Sequence, residues 1–330
     1  MSKKRILSGI QPSGTIHLGN YFGAIENWVK LLDEYECFFS IVDYHAITAP
    51  YDAALLPGRI REAALDNMAA GLDPERCTLF VQSHVPEHTE LCWLLNCATP
   101  LGELFRMTQF KDKRQQHGWE NISAGLLNYP ILQAADILIY RADAVPVGED
   151  QAQHLEFTRE VARRFNTKFG QYFAEPKTII GRGKRVMGLD GVGKMSKSMN
   201  NFIGLTEPAE AVWEKLRPAK TDEARQRRSD PGDPFKCNIY SYHELVTGDE
   251  QLAEIRQGCT TAGIGCIDCK KILAANLEKV VAPIRERRAE LEKKPEYVRD
   301  SLMAAAEKCR AIARKTVDET KSLMGLGGQI

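Results

Sequence analysis

No run of apolar residues in this 330-residue chain approaches the roughly 20 that a membrane-spanning helix needs, so a helical membrane protein is not expected. Excess charge of either sign is also missing. Lys and Arg number 44, as do Asp and Glu, so the chain lacks the overall basic footprint that usually marks a nucleic-acid binder. Local basic stretches such as Arg182-Gly-Lys-Arg185 and Arg225-Gln-Arg-Arg228 read first as solvated surface. Internal repeats and low-complexity tracts are absent. Met1-Ser-Lys-Lys-Arg5 passes straight into Ile6-Leu-Ser-Gly9 with no signal-peptide apolar region, and the expected location is cytoplasmic. Nine cysteines in a chain of this length do not resemble a secreted disulfide scaffold, which leaves free thiols or metal ligands.

What is present alternates. Arg5-Ile-Leu-Ser8 reads as a strand, a helix follows from about Gly19 to Asp33, and Cys37–Val42 reads as a buried strand. Arg59–Ala70 reads as a helix and Cys77–Gln82 as another strand. Strand and helix in alternation predict a parallel sheet with helices on its faces, whose ligands sit beyond the carboxyl ends of the strands. Function is therefore sought at Gly9–Asn20, Asp43–Thr48 and Gln82–Pro86. From about Thr206 the strand signals fade. Leu252–Gln257, Ile272–Val281 and Val298–Met324 predict a mainly helical second domain, with Asp230-Pro-Gly-Asp-Pro234 as a break near its start.

Two segments carry chemistry. In Ser8-Gly-Ile-Gln-Pro-Ser-Gly-Thr-Ile-His-Leu-Gly-Asn20, glycines at 9, 14 and 19 allow close backbone approach, and a helix opening at Gly19-Asn20 presents free N–H groups to an anion. A structural glycine turn would look the same. Gly193-Lys-Met-Ser-Lys-Ser-Met199 follows Asp190-Gly-Val-Gly193 and sets two lysines around small hydroxyl residues, suited to a leaving pyrophosphate. An exposed Lys/Ser loop is the plainer reading. The order of the two segments, with a sheet between them, favours function.

These segments resemble class I aminoacyl-tRNA synthetases. His17-Leu-Gly-Asn20 is similar to the HIGH motif, with Asn20 in place of its last His, and Lys194-Met-Ser-Lys-Ser198 matches the KMSKS motif in full. Ser8–Gly14, Gly19-Asn-Tyr-Phe-Gly-Ala24, Ala124-Gly-Leu-Leu-Asn-Tyr-Pro130 running into Ala134-Ala-Asp136, and Val147-Gly-Glu-Asp-Gln-Ala-Gln-His154 resemble the tryptophanyl enzymes within that class. The resemblance covers residues 5–205 closely. It implies a Rossmann-like parallel-sheet catalytic domain over 1–205 and a helical anticodon-binding domain over 206–330. It further implies ATP and tryptophan as substrates, Mg²⁺, the tRNA for tryptophan as partner, and a homodimer.

Residue by residue, the resemblance puts Gln11, Pro12, Ser13, Gly19 and Asn20 on ATP, joined by Gly148, Glu149, Asp150 and Val186 on the ribose and adenine side. His17, Asn20, Lys194, Lys197 and Ser198 would serve the reaction itself. Met195 and Ser196 lie in the same loop, with Lys111 or Lys113 assisting on the triphosphate. Asp136 would accept the indole N–H, since indole only donates and a carboxylate only accepts. Tyr129, Gln133, Val145, Val147, Gln151, Leu7 and His45 would complete the tryptophan pocket. Gln133 stands where many family members carry methionine and Leu7 where many carry phenylalanine. The related tyrosyl enzymes have a stretch much like Leu132-Gln-Ala-Ala-Asp136, which makes tyrosine the rival substrate. A non-catalytic RNA-binding or iron–sulfur protein on a synthetase scaffold is the rival of another kind, against which an intact lysine loop and Asp136 both weigh.

Cys237, Cys259, Cys266 and Cys269 stand apart in the helical half, with Gly258, Gly263 and Gly265 among them. Cys266-Ile-Asp-Cys269 lets two thiolates face one metal, and four such cysteines fit a tetrahedral zinc or a [4Fe–4S] cluster. Inert thiols are the plain alternative. A subset of bacterial tryptophanyl enzymes has a similar pattern with a [4Fe–4S] cluster, so the resemblance implies iron–sulfur over zinc.

Overall fold

The computed structural model describes residues 3–117, 122–148, 151–180, 186–197 and 199–327, without the side chains at 113, 114, 116, 117 and 180. Strand β1 (Arg5–Ile10) leads through the glycine-rich loop into α1 (Leu18–Asn20), a π-helical turn (Tyr21–Ile25) and α2 (Glu26–Leu31). Next come β2 (Glu36–Ile41), α3 (Asp43–Ala46), α4 (Leu56–Ala69), β3 (Thr78–Val81), α5 (Glu87–Ala98), α6 (Leu101–Arg106), α7 (Thr108–His117) and α8 (Ala124–Ile139). Then β4 (Ala144–Val147), α9 (Ala152–Phe169) and β5 (Lys177–Ile180) complete the sheet. The remainder is helical: α10 (Ala209–Leu216), α11 (Asn238–Val246), α12 (Asp249–Thr260), α13 (Cys266–Glu292) and α14 (Pro295–Leu323).

The five strands run in the order β3-β2-β1-β4-β5, and every pairing is parallel. Alternate side chains of a strand face opposite sides. Ile6, Phe39 and Ile41 enter one core with Trp28, Leu65 and Met68, which the helices α10, α11 and α13 extend through Val212, Ile239 and Leu273. Leu7, Phe38 and Phe80 enter the other with residues of α5, α8 and α9. Both faces are thus covered, which is why β2 reads as Cys-Phe-Phe-Ser-Ile, apolar but for the buried Ser40, rather than as an alternation. The strand order reverses between β1 and β4, and the crevice at their carboxyl ends is where such a sheet binds ligands.

Expected boundaries shift by a few residues. The helix expected at 19–33 is broken in character, because the π-helical turn at Tyr21–Ile25 separates α1 from α2. The three C-terminal helices extend beyond the expected segments. The last of them, α14, comes back to the sheet, burying Ala306, Cys309, Ala313 and Val317 in the same core as Leu7 and Phe38. Among the described residues no helix is long and apolar enough to cross a membrane.

Candidate active site

The glycine-rich loop leaves β1 at the crevice. Gly14 has φ +102°, a backbone conformation that side-chain-bearing residues rarely adopt, so the turn between Gln11 and Thr15 requires glycine there. Gln11 and Ser13 are exposed, while Pro12 is buried. His17 caps α1 and is buried, with Nδ1 lacking a hydrogen-bond partner. Burial, then the charges of Lys197 and Lys194, lower its pKa to about 4, so its imidazole is neutral at physiological pH. Asn20 Oδ1 accepts from the His17 backbone N–H at 3.2 Å, which fixes the entry to the helix. A Cβ on Gly19 would stand 3.0 Å from the His17 ring, a tight approach, and 3.4 Å from Met195 Cβ, so the two signature segments lie close together here.

They meet in two further places. Lys197 Nζ donates to Ser13 Oγ at 3.1 Å, and His17 forms an antiparallel bridge with Gly204, just beyond the lysine loop. That loop is held from inside: Met195 N–H donates to the Val186 carbonyl (3.0 Å), Ser196 N–H to Asn201 Oδ1 (2.8 Å), and Asn201 Nδ2 to Asp190 (2.9 Å). Met195 and Val186 are core residues. Lys194 is exposed and Lys197 half-buried. Ser198, Glu149 and Asp150 lie outside the described residues, as does the side chain of Lys113. Lys111 is exposed on α7, and Gly148 is exposed after β4.

The amino-acid side of the crevice is built on α8. Tyr129, Gln133 and Asp136 are spaced at four and three residues and share one helix face. Asp136 is 3% exposed, and its carboxylate is fully engaged. Oδ2 meets His45 Nε2 at 2.8 Å, Oδ1 meets His88 Nδ1 at 2.6 Å, and Gln82 Nε2 donates to both oxygens at 2.9 Å. A carboxylate accepts only, so both imidazole nitrogens facing it carry protons. Burial opposes ionisation of Asp136, but His88 and His45 beside it more than offset this and hold the carboxyl below the usual carboxylate range. Behind His88, its Nε2 meets the Tyr140 hydroxyl at 2.7 Å, and Tyr140 reaches Cys309 of α14.

Tyr129 donates to Gln109 Oε1 at 2.8 Å and accepts from His154 Nε2 at 2.6 Å, while burial pushes its phenol up to about 12. Its ring stands edge-on to His45. Leu7 and Val145 are buried in the core beneath α8, Val147 packs at its margin, and Gln151 follows with its N–H on the Gly148 carbonyl. Sequence reasoning missed Gln82, His88 and Tyr140. Gln82 sits within a stretch already marked by its place at the end of β3, but nothing in the spacing of His88 or Tyr140 points to Asp136.

The four cysteines of the helical half come from three helices. Cys237 caps α11, Cys259 ends α12, and Cys266 and Cys269 begin α13. Burial, then the neighbouring Cys237, Cys259 and Cys266, push the Cys269 thiol up to about 12. Cys269 Sγ also lies 3.3 Å from His243 Nε2, and Cys259 Sγ lies against Gly232, where a Cβ would approach it to 2.8 Å. The expected metal-ligand geometry is nevertheless not met: among the described residues no three His, Cys, Asp or Glu side chains are grouped to hold a metal ion. The thiols lie in one region without forming a ligand set.

The profile of the family "tRNA synthetases class I (W and Y)" matches residues 2–282. A tryptophan–tRNA ligase of Deinococcus radiodurans is 52% identical over 326 residues, covering 97% of this chain and 98% of that protein. The tryptophan–tRNA ligase of Thermotoga maritima is 44% identical over 326 residues, covering 98% and 99%. Among solved structures, the tryptophanyl-tRNA synthetase of Campylobacter jejuni complexed with ADP and tryptophan superposes with a TM-score of 0.87 at 34% identity, covering 98% of this chain and all of that one.

Proposed function

This chain belongs to the class I tRNA synthetases of the tryptophan and tyrosine type and joins tryptophan to tRNA, and from that premise we propose how its residues divide the work. The tryptophan carboxylate attacks the α-phosphate of ATP, the bond to the β-phosphate breaks, and pyrophosphate leaves. The terminal adenosine hydroxyl of tRNA then attacks the acyl carbonyl, AMP leaves, and the ester remains on tRNA. No side-chain nucleophile is needed. Charge builds on phosphate oxygens, so the protein's part is positioning and electrostatics.

Gln11, Pro12, Ser13, Gly19 and Asn20 hold ATP, with Gly148, Glu149, Asp150 and Val186 towards ribose and adenine. Neutral His17 donates to phosphate without competing with the lysines for charge. Lys194, Lys197 and Ser198 follow the triphosphate as it reorganises, with Lys111 or Lys113 assisting, and a Mg²⁺ ion held with the nucleotide would add positive charge against the phosphates. Asp136 takes the indole N–H. Its Gln82 contact, now shared between both oxygens, collapses onto one of them and frees a lone pair. Tyr129, Gln133, His45, Leu7, Val145, Val147 and Gln151 shape the pocket.

The observation that supports this reading best is the meeting of Lys197 with Ser13 on one side of the crevice and the buried, multiply hydrogen-bonded Asp136 on the other. Tryptophan-dependent ATP–pyrophosphate exchange tests it. Lys197→Ala should depress exchange turnover far more than tryptophan affinity, because that charge acts mainly as the triphosphate reorganises. Weaker tryptophan binding with normal turnover would contradict the role.

Three finer readings accompany it. Residues 1–205 form the catalytic domain and 206–330 the tRNA-binding part. The chain works as a homodimer through a patch on α5 and α6, where Trp93 is 69% and Leu101 56% exposed and Cys97, four residues from Trp93, faces the same way. Cys237, Cys259, Cys266 and Cys269 hold a [4Fe–4S] cluster, or a zinc ion, after His243 releases Cys269. Four half-buried thiols, one of them, Cys259, against Gly232, suit either group chemically. Bound there, it would cross-link α11, α12 and α13. About four irons per chain after anaerobic purification would support the cluster and about one zinc the alternative, while neither metal would remove both.

A further inference from the structure

Two polar ties run from the long helix α13 to the glycine-rich loop, and neither belongs to a signature motif. In the first, Asp66 of α4, 1% exposed, accepts from the backbone N–H of Ile16 through Oδ2 at 3.1 Å and from Arg288 Nε of α13 through Oδ1 at 2.6 Å. Arg288 is itself fixed by Glu62 and by Glu292. In the second, Arg285 donates to the Glu207 carbonyl at 2.9 Å. Glu207 Oε1 accepts the Gly204 N–H at 2.8 Å, and Gly204 is the bridge partner of His17. Leu205 N–H completes the clasp on the Ile16 carbonyl at 2.8 Å.

Ile16 and His17 are thus held from behind on both sides by groups that end on α13. A buried carboxylate is unfavourable unless paired, and here the Arg288 guanidinium and one backbone donor satisfy it. Between such partners a backbone N–H has little freedom, which sets where the chain enters α1. The same carboxylate reaches the other signature segment. Burial lowers Lys197, and the charge of Asp66 acts against that, helping Lys197 to stay a cation.

We propose that Asp66 and Arg288 are a positioning pair for adenylate formation, through which α13 sets the glycine-rich loop for ATP. The pair touches no substrate; it acts through Ile16 and, electrostatically, through Lys197. The proposal rests on reading that loop as the ATP loop. It follows that a change in α13 reaches the nucleotide side of the crevice without passing through the tryptophan side. A misplaced phosphate-binding loop loses reaction geometry before it loses the amino acid.

Exchange kinetics with ATP and tryptophan varied separately, alongside thermal melting, test this on the full chain. Asp66→Asn keeps an acceptor for Ile16 but removes the charge, and Arg288→Leu removes the anchor. Each should lower exchange turnover about tenfold and raise KM for ATP, while KM for tryptophan stays within about twofold. Arg288→Lys should recover part of the turnover. Asp66→Leu with Arg288→Leu replaces a buried ion pair by apolar side chains, which often restores stability; Tm should recover while turnover stays low. If turnover recovers together with Tm, or if tryptophan KM moves as much as ATP KM, the pair is merely structural and the proposal falls. Lys197→Ala separates the two readings. Unaltered exchange in that variant removes the ATP-loop assignment itself, whereas loss of exchange there with normal Asp66→Asn kinetics removes only the positioning pair.

Discussion

Asp136 concentrates the chemistry of the amino-acid side, because one carboxylate serves three donors from three separate segments. Asp136→Asn converts one acceptor into a donor that faces donors. KM for tryptophan in exchange should rise about ten- to a hundredfold, the worth of one hydrogen bond to a charged group, with KM for ATP little changed. Equal loss on both substrates would mean that the residue supports the fold alone. Tyr140→Phe leaves the Asp136 contacts in place but frees His88 Nε2, so its effect should be smaller and confined to tryptophan KM. The carboxylate itself was legible in the sequence through the resemblance of Ala134-Ala-Asp136 and the stretch before it to the tryptophanyl enzymes. Of its partners only His45 was, through the same resemblance. His45, Gln82 and His88 lie 91, 54 and 48 residues away from it, and no local spacing encodes which of many polar residues a fold brings together.

At the scale of elements, the first three strands were readable because parallel strands covered on both faces are nearly continuous apolar runs, as Cys37–Ile41 is but for Ser40, whereas β4 and β5 went unread. The helices of the second half were readable by period but short in extent. Their docking was not readable at all, since periodicity says that one face is buried and not against what. For α14 that face is small, Ala306 and Ala313 among it, and both sit in the core of the sheet at 1% exposure or less. Close approach of a helix to a packed face leaves no room to grow. Ala313→Leu should therefore destabilise the chain by about 1–3 kcal/mol in chemical denaturation, through overpacking rather than lost contact. A neutral result would mean that α14 is loosely seated.

For the molecule as a whole, two buried histidines tie stability to acidity. His17 and His243 are both lowered from 6.5 to about 4, chiefly by burial. Between those values the unfolded chain takes up protons that the folded chain refuses. Their contribution is thus complete above about pH 6.5 and is lost as pH falls towards 4. Tm should fall across that window, and His243→Gln should flatten the slope relative to the parent by on the order of 2 kcal/mol at its lower end. An unchanged slope would show that His243 is protonated in the fold. Assembly is the other property of this scale. Trp93→Glu places a charge in the exposed patch of α5, and sedimentation of that variant should shift from dimer to monomer; a monomeric parent would remove the dimer reading.

The π-helical turn at Tyr21–Ile25 makes the stretch between the nucleotide loop and Trp28 sensitive to the count of residues, not only to their kind. A regular helix advances 100° per residue, and the π-turn carries one residue more than that spacing allows. Gly23, inside the turn, has open space where a Cβ would be, so its side-chain position is free to vary. The length of the turn is not free in both directions. Deleting one residue would remove the surplus and leave a regular helix with Leu18 and Trp28 still facing the core, whereas adding one would rotate one side by about 100° against the other. The segment that starts the nucleotide site should therefore tolerate substitution at position 23, and a single-residue gap there far better than an added residue.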